Sequence, residues 1–395
     1  MKGSFMNTKT RRIAINVGAG FVPGMNAVLK GAALAAYELG WEVVGIRDGF
    51  AGLLHPDRYP EGGLMPLSRD LVESLELDAG SVLGQSGMID PFHVRRVDED
   101  GMVEEVDESD RVLQALGDAQ IDALVSVVGR RGLTLFHKLH RKGLASVCIP
   151  QSIQGDIAST MVSFGFNSAL SFTIDMLDRT RQAARSARRV GVVEVLGEQA
   201  GWLALQAGIA AGADAILIPE VPCDLDLVAS RLRETISPTR PYGLVVVAEG
   251  ATFATGDREE PAEGVVAGSL HASLSPLATG ESSEYVIERS GHVARAVANR
   301  LQMLVAEDMH PIALGSWVRG GTHTAVDRQL GLAYGSASVR AVQDGRDGVM
   351  VAFAPPEIEF VPLAQAINKV RTVQPDDLFI ELARSLGICL GGELS

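Results

Sequence analysis

The chain predicts an α/β fold of two Rossmann-like lobes with mostly parallel sheets. Three observations carry that expectation. Apolar runs of strand length alternate with helix-length periodic segments, glycine-bearing loops follow several of the runs, and 395 residues exceed one ordinary core while 46% hydrophobic content can fill two. The expected division is residues 1–150 as an N-terminal α/β lobe, 151–345 as a second α/β lobe, and 346–395 as a segment packing back on the first lobe.

The first run, Ile13 to Val17, leads into G-A-G-F-V-P-G-M-N (Gly18 to Asn26). A periodic segment from Ala27 to Leu39 stops at Gly40, and Val43 to Ile46 completes a βαβ unit. Pro66 to Leu75 reads as a short helix, Val94 to Val106 as an exposed hairpin and Ser109 to Gln120 as a helix. A strand over Ala123 to Val128 then opens into G-R-R-G-L-T (Gly129 to Thr134). The next strand, Leu144 to Ile149, is expected to be halted by Pro150, before the polar loop Gln151 to Asp156 and a helix from near Gly165 to about Arg188. Loops at the carboxyl ends of parallel strands form ligand crevices, so these junctions are the expected place for chemistry.

Further along, strands are expected at Val190 to Val195, Ala215 to Ile218, Leu244 to Ala248, Pro311 to Leu314 and Val349 to Phe353. Helices are expected at Leu203 to Gly212, His292 to Glu307 and Ala325 to Gln343. The stretch from Ala251 to Glu284, rich in Gly, Ser, Thr and Glu, reads as an insertion.

With 35 basic against 49 acidic residues, a net charge of -14 argues against nucleic acid or an anionic membrane as partner, so any phosphate must be held by local donors. Cys148, Cys223 and Cys389 lack metal or disulfide spacing, and no run has the length of a membrane span, so a cytoplasmic protein is expected.

Motif order adds more. P-G-M-N (Pro23 to Asn26), V-G-I-R-D-G-F-A-G-L (Val44 to Leu53), F-G-F-N-S-A (Phe164 to Ala169), V-V-E-V-L-G (Val192 to Gly197), I-P-E (Ile218 to Glu220) and R-G-G-x(5)-D-R (Arg319 to Arg328) together resemble the phosphofructokinase family from about Arg12 to Val373. The resemblance implies phosphoryl transfer from ATP or pyrophosphate to fructose 6-phosphate with Mg²⁺, and a homodimer or homotetramer. It also implies departures. Phe21 stands where the family has an acidic residue, Arg130 and Arg131 occupy its G-G-D-G loop, and Gln154 occupies the position of the catalytic base. An amide is no base at neutral pH, and Arg131 puts a cation where Mg²⁺ would sit, so the two exclude each other.

Carried onto this chain, the resemblance makes Asp156 the remaining acid/base or metal-binding carboxylate, with Ser152 and Gln154 positioning the acceptor. Gly20, Gly24 and Asn26 would line the donor site with Arg130, Arg131 and Gly132. Arg189, Leu196, Gly197, Glu198, Glu249, His310 and Arg319 would face the acceptor, Arg189 and His310 from a neighbouring subunit. Glu198 replaces a family arginine, which points to a phosphotransferase that is not an ordinary 6-phosphofructokinase. The alternative is a catalytically silent paralogue that binds an anionic metabolite as a regulatory or scaffolding subunit. The plainer alternatives for single residues are a helix cap or surface ion pair for the two arginines, an N-cap or turn for Asp156, and core packing for Trp202 and Trp317.

Overall fold

In chain order the strands are β1 (Arg12–Val17), β2 (Glu42–Ile46), β3 (Leu64–Pro66), β4 (Val94–Val97), β5 (Val103–Val106), β6 (Ala123–Val128), β7 (Ser146–Pro150), β8 (Val190–Val195), β9 (Ala215–Leu217), β10 (Gly243–Ala248), β11 (Met309–Ala313), β12 (Val349–Ala354) and β13 (Glu357–Pro362). They come from a computed structural model that describes residues 11–18, 22–75, 80–84, 89–97, 102–253 and 291–392. Gly20 and Phe21, and most of the 251–284 stretch, lie outside the described residues.

A seven-stranded sheet runs β13-β12-β7-β6-β1-β2-β3, and a four-stranded sheet runs β11-β8-β10-β9. Only the outer pairs β12–β13 and β2–β3 of the larger sheet are antiparallel, and every pair in the smaller one is parallel. The central strands β1, β6, β8 and β10 are buried along nearly their whole length, as sheets covered on both faces require. The expected exposed hairpin is the separate pair β4–β5.

Several features depart from the sequence reading. Pro150 is the last residue of β7, paired with Val128, rather than the residue that stops it. A proline is tolerated at a strand end, where its missing N–H is not needed, and its carbonyl accepts from Phe164 N at 3.4 Å. Residues 219–243, left unassigned above, contain the helix Leu225–Thr235, whose N-cap Asp224 accepts from Asp226 N at 2.8 Å and whose buried face is Leu225, Val228, Ala229 and Leu232. Strand β13 was also not foreseen.

The helices Met25–Glu38 and Ala325–Gln343 pack closely on the larger sheet. A Cβ at Gly31 would lie 2.4 Å from Leu332 O and one at Gly335 would lie 2.3 Å from Val28 O, so glycine is what lets the two backbones meet. The second helix also carries Asp327, whose carboxylate accepts from Gly165 N (3.0 Å), Ser168 N (2.6 Å) and Ser168 Oγ (2.6 Å). This caps the N-terminus of Phe166–Ala187 from another element and joins the two halves of the chain. Burial pushes the Asp327 carboxyl up, against the pull of those hydrogen bonds. Asp327→Ala leaves buried donors without an acceptor and is expected to cost about 3 kcal/mol, read as a lower denaturant midpoint at unchanged slope.

Candidate active site

Because β1, β6 and β7 are parallel, their carboxyl ends share one edge of the larger sheet. The loops after β8, β10 and β11 share one edge of the smaller sheet for the same reason. Between the two edges lies a cleft of about 240 Å³. From the first sheet it is lined by Val22, Gly129 to Gly132, Gln151 to Gln154 and Asp156, and from the second by Glu198, Gln199 and Arg319.

The loop after β7 holds its shape through one hydroxyl. Ser152 Oγ accepts from Gln154 N (3.1 Å) and Gly155 N (3.2 Å) and donates to Asp156 Oδ1 at 2.6 Å. Arg130 Nε donates to the other carboxylate oxygen, Oδ2, at 3.3 Å. Asp156 is therefore a fixed carboxylate with both oxygens already engaged on one side. Arg130 and Arg131 open the helix Arg130–Arg141, which has no acidic residue in its first turn and no side-chain cap. Two guanidinium groups at the positive end of a helix oppose its dipole, a local cost that a bound anion reverses. Arg131 is exposed, and among the described residues it forms no ion pair.

After β10, and outside the residues that line the cleft, Glu249 Oε1 accepts from Gly197 N at 3.2 Å. Burial, joined by the nearby Glu194 and Glu198 charges, pushes the Glu249 carboxyl up, while Gly197 N–H and Arg319 pull it down. Burial likewise lowers Arg319, with Glu249 opposing. A carboxyl raised in the folded state favours folding most below the ordinary glutamate value, and that contribution fades as pH rises through the raised one. Wild-type protein should therefore lose stability relative to Glu249→Gln as pH climbs from about 4.3 toward neutrality. Melting curves of the two proteins across that range check it.

Several expected site residues are placed elsewhere. Asn26 Oδ1 accepts from Val82 N at 3.1 Å, bracing the 80–84 turn. Gly24 faces His323 and Phe164 rather than the cleft lining. Arg189 precedes β8, and His310 pairs with Gly191 at the same end of the smaller sheet. That end is about 20 Å, six residues of strand, from the edge bearing Glu198. Leu196 and Gly197 connect β8 to Glu198 and are not among the residues that line the cleft. Gln199 and Val22 line the cleft without having been singled out, although each adjoins a residue or motif that was. Trp202 is buried and Trp317 is 73% exposed.

Mg²⁺ takes oxygen ligands in octahedral geometry. The carboxylates lining this cleft are Asp156, already engaged by Arg130 and Ser152, and Glu198. Among the described residues no group of three or more His, Cys, Asp or Glu is placed to hold a metal ion, and Arg131 is one of the residues that line the same cleft.

Two mostly parallel sheets whose strand-end loops meet at one cleft define an α/β protein with its crevice at the carboxyl edges of the strands. Residues 12–342 match the model of the family described as Phosphofructokinase, and the chain belongs to that family. It is 35% identical over 389 residues to an ATP-dependent 6-phosphofructokinase of Chloroflexus aggregans, covering 98% of this chain and 100% of that one. It is 34% identical over 370 residues to a pyrophosphate–fructose 6-phosphate 1-phosphotransferase of Amycolatopsis methanolica, covering 92% and 97%. Among solved structures, phosphofructokinase from Saccharomyces cerevisiae superposes with a TM-score of 0.70 at 25% identity, covering 95% of this chain and 47% of that one. The pyrophosphate-dependent phosphofructokinase of Marinobacter aquaeolei, at 18% identity and a TM-score of 0.72 over 96% of this chain and 88% of that one, shares the fold.

Proposed function

We propose that this protein transfers a phosphoryl group from ATP or pyrophosphate to a hydroxyl of a sugar phosphate or related small molecule, with Arg130 and Arg131 supplying the positive charge that a divalent ion supplies elsewhere. The observation that carries this reading is Arg130 and Arg131 together at a helix N-terminus, with Arg130 Nε 3.3 Å from the fixed Asp156 carboxylate. Phosphoryl transfer depends mainly on positioning and charge stabilisation, which arginines can provide.

The bond between the transferred phosphorus and the donor's bridging oxygen breaks as a bond to the acceptor oxygen forms. The acceptor's hydroxyl proton passes to Asp156, and ADP or phosphate leaves. Ser152 holds the carboxylate, Gln154 orients the hydroxyl, and Glu198, Glu249 and Arg319 face the acceptor. In a homodimer or homotetramer, Arg189 and His310 of a neighbouring copy would complete the acceptor side, which accounts for their distance from their own cleft. Similarity to both an ATP-dependent and a pyrophosphate-dependent relative leaves either donor in play. Among the described residues no helix is long and apolar enough to cross a membrane. With widely spaced cysteines, we place the protein in the cytoplasm.

A second reading is favoured by Gln154: with an amide in the base position and Asp156 doubly engaged, the cleft would bind an anionic metabolite without turning it over. A panel of both donors against sugar phosphates and polyols, assayed for product, separates the two. Turnover abolished by Asp156→Asn supports the transferase, whereas saturable anion binding with no turnover supports the silent paralogue.

A further inference from the structure

Beyond the stretch that matches the family model, the chain returns to the cleft from behind. Val370 forms an antiparallel bridge with Ile157, and Arg371 N donates to Asp156 O at 2.9 Å. Arg371 Nη1 donates to Gly155 O at 3.2 Å, and its guanidinium lies 4.0 Å from the centroid of the Trp202 ring. Trp202 Nε1 donates back to Arg371 O at 2.7 Å. Two residues on, Val373 N donates to Glu220 Oε1 at 2.9 Å, and the same carboxylate receives Gly201 N at the start of the Trp202 helix. Gly155 has φ +70, and a Cβ there would meet Phe166 at 3.1 Å and Trp202 at 3.5 Å, so the loop is held between these rings and Arg371.

We infer that Arg371 and Trp202 form a clasp that positions the Asp156 loop, which makes Arg371 a positioning residue supplied by the C-terminal segment. Arg371 is not among the residues that line the cleft, and it holds the backbone of the loop that carries the carboxylate. The role rests on the phosphotransferase reading, since what the clasp sets is the distance from Asp156 to the acceptor hydroxyl. A guanidinium over an indole and a charge-assisted bond to a carbonyl make this a stiff attachment. Misplacement of a reacting group by about 1 Å can cost on the order of 10²-fold in rate.

The test uses the full chain with Arg371→Gln and Arg371→Lys. Positioning predicts that Arg371→Gln lowers kcat by about tenfold or more with KM for the donor within about threefold, and that Arg371→Lys, which restores a cation over the ring, recovers much of the loss. Unchanged kcat overturns the clasp, as does a loss of kcat matched by an equal loss of donor affinity. If wild-type protein turns over no donor, the phosphotransferase reading falls separately, and hydrogen exchange then decides the clasp. Exchange about tenfold faster at the Gln154 and Gly155 amides in Arg371→Gln, with β6 and β7 amides unchanged, supports it, and wild-type exchange at those amides overturns it.

Discussion

Asp156→Asn should lower the turnover of the protein by about 10²–10⁴-fold, the usual worth of a positioned general base. Its effect on binding should run the other way. Asp156 is the carboxylate that Arg130 Nε contacts at 3.3 Å, so removing its charge releases the guanidinium toward an incoming anion. Affinity for pyrophosphate should therefore hold or tighten while kcat collapses. Steady-state kinetics paired with calorimetric titration reads both at once. A parallel loss of affinity and rate would instead mean that Asp156 is part of the anion site, and the division of labour between carboxylate and arginines would be wrong.

The complementary substitution, Arg130→Gln with Arg131→Gln, should remove anion binding. A hydrogen bond to a charged group is worth about 1.5–3 kcal/mol, but Arg131 is exposed and screened by solvent, so the pair together is set at about 2–4 kcal/mol, or roughly 30- to 10³-fold in affinity. Stability should change little, because loss of the Arg130–Asp156 contact is offset as two positive charges leave the positive end of a helix. That combination of weaker binding and an undiminished melting temperature separates a ligand site from a structural ion pair. If the plainer alternative held, with Arg130 serving only to pair with Asp156, binding would be unaffected and stability would fall.

Much of this fold could be read from local pattern. The bounds of β6, of β8 and of the helix Ala325–Gln343 are the ones the sequence indicates, because an apolar run or a 3.6-residue period is a local property bounded by glycine or polar residues. The cleft-facing residues Arg130, Arg131, Ser152, Gln154 and Asp156 were accessible for the same reason: each follows a recognisable buried strand. The signal for Leu225–Thr235 was also present, with Asp224 as cap and apolar residues at the right spacing.

What could not be read is contact made across the chain. Asn26 sits in a motif that suggests ligand binding, yet its side-chain oxygen braces Val82, 56 residues away. Arg371 reaches Gly155 over a separation of 216 residues, and nothing in the sequence near either position announces the other. Asp327 is similar, since its motif marks the family but not the helix N-terminus that it caps 159 residues earlier. A polar side chain's partner is set by packing of whole elements, so motif position identifies the neighbourhood and only the fold identifies the atom.

On the proposed reading, guanidinium charge does the work of a divalent cation in this cleft. Titration of pyrophosphate into the chelator-treated protein, and into the same protein with excess Mg²⁺, decides the point. Saturable binding of the uncomplexed anion, unimproved or weakened by Mg²⁺ and lost in the double arginine variant, is the predicted result. Binding that appears only when Mg²⁺ is present, and that survives replacement of both arginines, would contradict it.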